Sequence, residues 1–257
     1  MSEVEIDETS EEDKNKGSVR ELLSTVFWAL TIALVLRTFI FQPFHIPSGS
    51  MLPGLKQGDY IITSKYSVGY GKYAATPLPF PKKKGRLFER DLKRGDVLVF
   101  RPLGTNKNYI KRLIGLPGDQ IQMVDGFLHV NGVRVSVESL GTETFNRSGY
   151  EATAEVFLET FENGNSHKIY DLQKNGPRDN TDLQTVPAGH YFMMGDNRDD
   201  SLDSRVSFKD GGTEFVPTDN IIGKAEIVLL SVEEDFVIYK PWTWLNFRGD
   251  RWFKKIK

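Results

Sequence analysis

Phe44-His45-Ile46-Pro47-Ser48-Gly49-Ser50-Met51-Leu52-Pro53 stands directly after the one long apolar run of the chain and directly before its first strand-like segment. Two serines flank a glycine between two prolines, which gives a stiff loop: proline fixes φ, and glycine permits close backbone approach. Such a loop can present a hydroxyl at a defined place, although an ordinary surface turn has the same composition.

Upstream, Leu22 to Leu36 contains no charged residue, and apolar character resumes through Thr38-Phe39-Ile40-Phe41 until Pro43 stops a helix. A bilayer core of about 30 Å takes roughly 20 helical residues, a length met from Ser18 to Ile40 with Arg20, Glu21 and Arg37 at the interfaces. A cleaved leader or a buried core helix would also be apolar. An acidic segment precedes this run, however, and Phe41-Gln42-Pro43-Phe44 follows it in place of a small-residue cleavage site. The reading is an uncleaved anchor over 18–41, preceded by a disordered acidic tail over 1–17 that carries Glu3, Glu5, Asp7, Glu8, Glu11, Glu12 and Asp13. Lys14, Lys16 and Arg20 before the span, against Arg37 and Lys56 after it, lean towards a cytoplasmic N-terminus. No second span follows, so everything after residue 42 is expected on one side of the membrane.

Downstream the pattern is β. Gly58-Asp59, Gly95-Asp96 and Gly118-Asp119 each precede a run of strand-forming residues, so the Arg94-Gly95-Asp96 triplet reads as turn punctuation and not as an adhesion motif. Asn131-Gly132 between Phe127–Val130 and Val133–Val135 is a strong hairpin signal, and Asn163-Gly164-Asn165 reads as a second tip. The fold class expected is mainly β: a β core over 42–124 and 187–257, a β-rich insertion over 125–186, and one N-terminal transmembrane helix. The Lys82-Lys83-Lys84 run reads as a solvated loop, Asn146-Arg147-Ser148 as a chance sequon, and the Trp-rich tail from Lys240 as either a membrane interface or a small apolar core.

Composition narrows the chemistry. Hydrophobic residues at 39% and charged residues at 26% are ordinary globular values, and a net charge of −2 gives no nucleic-acid footprint. The absence of cysteine removes a thiol nucleophile and Cys-based zinc sites, and the four histidines, at 45, 129, 167 and 190, are too scattered for a metal cluster. No metal and no cofactor is expected. A serine nucleophile needs a base. His190 with Asp196 or Asp199 could supply a triad, without a nucleophile-elbow motif around Ser50. The rival is Lys111, on Asn108-Tyr109-Ile110-Lys111-Arg112-Leu113-Ile114-Gly115. A strand lysine is usually solvated; burial in an apolar pocket would lower its pKa and make it a base.

Three stretches, taken together, carry a resemblance: Pro47-Ser48-Gly49-Ser50-Met51-Leu52-Pro53, Tyr109-Ile110-Lys111-Arg112 with Gly115 and Pro117-Gly118-Asp119, and Met194-Gly195-Asp196-Asn197-Arg198-Asp199 with Ser201, Asp203, Ser204 and Arg205. In order and after a single anchor, they resemble the successive boxes of bacterial type I signal peptidases, from about Phe41 to Val232. The resemblance implies a serine endopeptidase with a Ser-Lys dyad that removes N-terminal signal peptides from exported pre-proteins. Ser50 would be the nucleophile, Lys111 the general base, Ser48 and the Ser50 N–H the oxyanion donors, and Ser201 the residue that orients Lys111. Asp196, Arg198, Asp203 and Arg205 would form a supporting polar network. Phe44, Ile46, Met51, Leu55 and Ile110 would line shallow pockets that favour alanine at the −1 and −3 positions. It also implies a monomer, single-pass in the bacterial cytoplasmic membrane, with the catalytic domain on the outer side. Its partners would be pre-proteins and lipid, with no nucleic acid. Gly54, Asp200 and the 209–214 loop depart from the family pattern, and Asp200 is expected to face solvent. A self-cleaving Ser-Lys protein of the LexA-like class, or a non-catalytic anchored binding or assembly protein, are the alternatives.

Overall fold

The computed structural model describes residues 8–74, 85–147, 149–233, 243 and 246–257, with side chains from residue 19 onward. The Lys82-Lys83-Lys84 run, Ser148 of the sequon, and Trp242 and Trp244 of the tail lie outside the described residues. The chain opens with one helix, α1 (Glu8–Phe39). Within it Val19–Phe39, 21 residues, is long and apolar enough to cross a membrane, and almost all of it is exposed, as a helix of a soluble core would not be. The helix begins ten residues earlier than the expected anchor, so 8–17 are helical and not structureless. Glutamate and lysine are good helix formers, and once the apolar run has nucleated a helix, propagation through such residues is cheap.

The helix stops at Phe39, two residues short of the expected boundary, because the chain turns at Ile40 into a strand. That strand, β1 (Phe41–His45), lies at the edge of the sheet, where Pro43 can sit without breaking a ladder on its outer side. It pairs antiparallel with β2 (Asp59–Ser64), from Phe41 opposite Ser64 to His45 opposite Tyr60. Lys65, fully buried, donates to Thr38 O at 3.0 Å and to Ala74 O, and Tyr70 Oη donates to Phe39 O at 2.6 Å. The bonds to Thr38 O and Phe39 O satisfy carbonyls that a helix end leaves unpaired, and they weld α1 to the β domain. Burial first, and then the charge of Arg37, lower the Lys65 pKa to about 8.

The remaining strands are β3 (Val97–Phe100), β4 (Tyr109–Gly115), β5 (Gln120–Val124), β6 (Phe127–Val130), β7 (Val133–Arg134), β8 (Ser136–Arg147), β9 (Tyr150–Thr160), β10 (Ser166–Asp171), β11 (Gln184–Thr185), β12 (His190–Met194), β13 (Val216–Pro217), β14 (Ile221–Ser231) and β15 (Lys254–Lys255). The main sheet runs β1-β2-β14-β3-β4-β12-β13, with β15 also on β14. A second sheet is β10-β9-β8 and a third β11-β5-β6-β7. The insertion is β-rich, as expected, and β5 joins it to the core: it hydrogen-bonds to β6 and β11, while its Ile121 and Met123 pack against Ile114 of β4 and Phe192 of β12. At the first hairpin tip, Asn131 and Gly132 take φ of 53° and 78°, the left-handed pair that a tight hairpin requires.

The three Gly-Asp turns share one construction. Each aspartate carboxylate accepts the backbone N–H three residues earlier: Lys56 N to Asp59 at 2.8 Å, Lys93 N to Asp96 at 2.9 Å and Leu116 N to Asp119 at 2.6 Å. Each also meets a cation, Arg251 on Asp59 at 2.5 Å, Lys224 on Asp96 at 2.6 Å and Arg94 on Asp119 at 3.0 Å. The Arg94-Gly95-Asp96 triplet is therefore structural. Arg251 and Asp59 are both buried, whereas the Lys224 side chain is 32% exposed. Removing one partner of a buried pair strands a charge, at a cost of about 3–5 kcal/mol, while a half-exposed pair is worth under about 1 kcal/mol. We expect Arg251→Met to lower the denaturant midpoint of the detergent-solubilised protein far more than Lys224→Met; equal shifts would show that the buried pair holds nothing together.

Candidate active site

The loop after β1 is anchored at both ends by backbone bonds, Ile46 N to Asp59 O at 2.8 Å and Gly58 N to Ile46 O at 3.0 Å. Beyond Ser50 it makes one turn, with Leu55 N donating to Met51 O at 2.8 Å. The segment after β12 grips it from behind: Asn197 donates through its backbone N–H to Ser50 O at 3.2 Å and through Nδ2 to Gly49 O at 3.1 Å. This clamp requires a glycine at 195, where a Cβ would lie 2.5 Å from Ser50 O and 2.2 Å from Ser201 Oγ.

The clamp presents the Ser50 hydroxyl to β4. Lys111 is 5% exposed, and its Nζ donates to Ser50 Oγ at 2.6 Å. A strand lysine is usually solvated, but every residue from Lys111 to Gly115 is buried, because β3 and β12 flank the strand and other elements cover both of its faces. Burial lowers the Lys111 pKa to about 8 and Arg205 pushes the same way, against the opposing fields of Asp203 and Asp196. Ser48 Oγ lies 3.4 Å from Ser50 Oγ on the exposed side.

Charges around the amine are matched among themselves. Arg112 clasps Asp196 with two bonds of 2.7 and 2.6 Å and also donates to Gly95 O. Arg205 holds Asp203 at 2.9 Å, and its Nη2 donates to Arg198 O at 2.6 Å. Burial raises the Asp203 pKa, but the charge and hydrogen bonds of Arg205 outweigh it, so the net shift is downward. Arg198 pairs with Glu159 at 2.5 Å. His167 sits between Glu159 (3.3 Å) and Asp196 (3.9 Å), with its pKa lowered by burial and by Arg112. The expected polar network of Asp196, Arg198, Asp203 and Arg205 is thus assembled around the site. Arg112, Asn197, Glu159, His167 and Tyr170 complete it, and sequence reasoning gave them no role. Arg112 and Asn197 lay inside the quoted stretches, but His167, Glu159 and Tyr170 belong to the insertion, where no local signal marks them. Tyr170 exchanges backbone bonds with the catalytic segment, Tyr170 N to Asp196 O and Arg198 N to Tyr170 O, both at 2.9 Å.

Other candidates fall differently. Ser201 is buried with its hydroxyl beside Gly195 and towards the Asp203 carboxylate, while Lys111 Nζ donates to Ser50 Oγ. Of the expected pocket residues, Phe44, Ile46, Met51, Leu55 and Ile110 join one apolar cluster, but Ile46, Met51 and Leu55 are fully buried and only Phe44 and Ile110 offer surface. His190 stands apart from the serine, its Nδ1 on Ala188 O at 3.0 Å, while Asp199 accepts the backbone N–H groups of Leu172 and Gln173. Asp196 is taken by Arg112. Asp200 turns away from Lys111, partly exposed, in a two-bond bridge to Arg147. Gly54 is packed so that a Cβ would press on Asp196 Oδ2 at 2.9 Å.

An amine whose pKa burial lowers to about 8, in hydrogen-bond contact with a serine hydroxyl, is able in its neutral form to take that hydroxyl's proton. Residues 19–230 match the family model described as signal peptidase, peptidase S26. The chain is 40% identical over 234 residues to a signal peptidase I of Rickettsia akari (strain Hartford), covering 88% of this chain and 85% of that one. It is 39% identical over 228 residues to that of Rickettsia typhi (strain ATCC VR-144 / Wilmington), covering 86% and 83%. A solved signal peptidase I from Enterococcus faecalis V583 is 25% identical and matches 52% of this chain and 97% of its own, with a TM-score of 0.31. Because the family match covers residues 19–230, from the apolar helix through the Ser50 loop and the Lys111 strand, the chain belongs to the signal peptidase, peptidase S26, family.

Proposed function

We propose that the protein is a membrane-anchored serine endopeptidase that removes signal peptides from exported pre-proteins through a Ser50-Lys111 dyad. The observation that carries this reading is the 2.6 Å contact between Lys111 Nζ and Ser50 Oγ, with the amine held at about 8. The uncharged amine takes the Ser50 proton as Oγ attacks the scissile carbonyl carbon. The ammonium then gives that proton to the leaving amine of the mature chain, and a water, deprotonated by the same lysine, hydrolyses the ester. Negative charge on the tetrahedral oxygen is received by the Ser50 N–H and the Ser48 hydroxyl, each donor worth about 3 kcal/mol in such a role. Ser201, whose buried hydroxyl lies beside Gly195 and Asp203, orients the ammonium once Ser50 Oγ is acylated.

The anchor sets the working depth. α1 ends at Phe39 and Ser50 follows eleven residues later, within about 35–40 Å of extended chain. The N-terminus lies in the cytoplasm, the catalytic domain on the outer face of the bacterial cytoplasmic membrane, and the protein acts as a monomer. Phe44 and Ile110 present the apolar surface that receives small side chains before the scissile bond.

Replacing Ser50 or Lys111 with alanine should reduce cleavage of an Ala-x-Ala pre-protein in detergent at least ~10³-fold, while His190→Ala cleaves normally. Loss of cleavage in His190→Ala with activity retained in Lys111→Ala would reverse the assignment, and cleavage intact in every variant would point to a binding protein. The pH profile follows from the lysine. Folding depresses its pKa, so the free base that catalysis needs is scarce below about 8 and predominates above it. The acidic limb of kcat/KM should therefore rise tenfold per pH unit below about 8 and level off above it. A limb centred near 4 or near 6.5 would indicate a carboxylate or a histidine instead.

A further inference from the structure

One large cavity remains unused by the chemistry above. It encloses about 430 Å³, within the roughly 300–1,000 Å³ range of ligand-binding pockets. Its walls are Gly49 and Leu52 of the serine loop, Glu143–Arg147 of β8, Lys56 and Gln57, Tyr170 with Asp200, and Glu233, Arg248 and Asp250 from the C-terminal region. We propose that this cavity receives the first residues of the mature chain, those just beyond the scissile bond. The proposal rests on the signal-peptide reading above and adds to it the half of the substrate that the apolar surface does not hold.

The direction of the substrate follows from the sheet register. β1 is the edge strand, leaves the end of α1 at Phe41 and reaches His45 just before the serine loop, so it offers a free edge that points from the membrane to the nucleophile. A signal peptide carries its apolar segment ahead of the cleavage site, and that segment sits in the same membrane as α1. An extended substrate therefore enters at the Phe41 end, runs parallel to β1, adds to its edge and passes Ser50 moving away from the bilayer. Phe44 and Ile110 lie on the approach to Ser50. The cavity lies beyond it: His45 pairs with Tyr60, Ser231 pairs with Asp59, and Gln57 and Glu233 continue outward from that end of the sheet.

The lining suits such an occupant. Before the scissile bond the surface is apolar; past it the walls carry Lys56, Arg147 and Arg248 together with Glu143, Asp200, Glu233 and Asp250. Most of these are already matched, Arg147 with Asp200, Arg248 with Glu233, and Glu143 with the Tyr170 hydroxyl at 2.6 Å. A cavity of paired charges takes a polar, extended segment and holds out large apolar side chains, whose burial there would strip water from ion pairs without replacing it. The Arg147-Asp200 bridge forms part of the wall. It gives Asp200, one of the departures from the family pattern, a place in binding the mature segment.

The test uses the full chain carrying Ser50→Ala, so that a bound pre-protein stays uncut, with a photoreactive phenylalanine at either the second residue before the scissile bond, the unrestricted position between the two alanines, or the third residue after it. Before the bond, crosslinks are expected near Phe44 and Ile110; after it, at Glu143–Arg147 or at 248–250. If the first label maps as expected and the second maps elsewhere, the cavity proposal is wrong. Failure of the first label as well would overturn the substrate reading and the cavity with it. In the active protein, Thr144→Trp fills the cavity from β8. It should lower by at least fivefold the ratio of kcat/KM for a pre-protein to kcat/KM for a peptide anilide that has nothing beyond the scissile bond. An unchanged ratio in a variant with wild-type melting behaviour would also reject the proposal.

Discussion

An amine buried without a carboxylate of its own is the constraint on which the rest of the structure depends. Left in water, the Lys111 ammonium would be a poor base; wrapped in protein, its charge becomes costly and its pKa falls to about 8. Burial alone would be undone by one free carboxylate at contact distance. Asp196 and Asp203 are both near enough to raise the lysine pKa, and each is instead gripped by an arginine, Arg112 and Arg205. The four charges cost desolvation, but together they neutralise the surroundings and fix the segment that carries Asn197, which in turn fixes the carbonyls of Gly49 and Ser50. Pairs of this kind are weak sources of net stability. Their use here is to let one lysine remain unpaired.

Much of this was legible in the sequence, for identifiable reasons. Gly-Asp turns, the Asn-Gly hairpin and the loop between two prolines are local, because their geometry is set within four or five residues, and each came out as read. The family boxes placed Ser50 and Lys111 in one site although 61 residues separate them. The misreadings concern longer-range facts. Nothing local to residues 108–115 could show that both faces of β4 are covered and Lys111 buried. The extent of α1 depended on propagation from an apolar nucleus into charged sequence. The resemblance named Ile46, Met51 and Leu55 as pocket linings, and only the packed cluster shows that they are fully buried while Phe44 and Ile110 keep surface.

The insertion was the least legible region. Its strands could be anticipated, but not that β10 would lie against the catalytic segment, or that His167, Glu159 and Tyr170 would close the polar network. These residues are ordinary in their own stretch, and what gives them a role is the parallel bridge of Tyr170 to Asn197. At the other end of the domain, Lys65 couples α1 to the sheet in a comparable way, so that helix, edge strand and the Ser50 loop follow one another with little slack.

The most direct test of the account is the titration of Lys111 itself, followed through the chemical shift of its ε-carbon in the labelled, detergent-solubilised protein and assigned by comparison with Lys111→Arg. A midpoint near 8 is the result required of a lysine that is neutral when it takes the Ser50 proton. A midpoint above about 10, the value of a solvated or ion-paired lysine, would contradict the account.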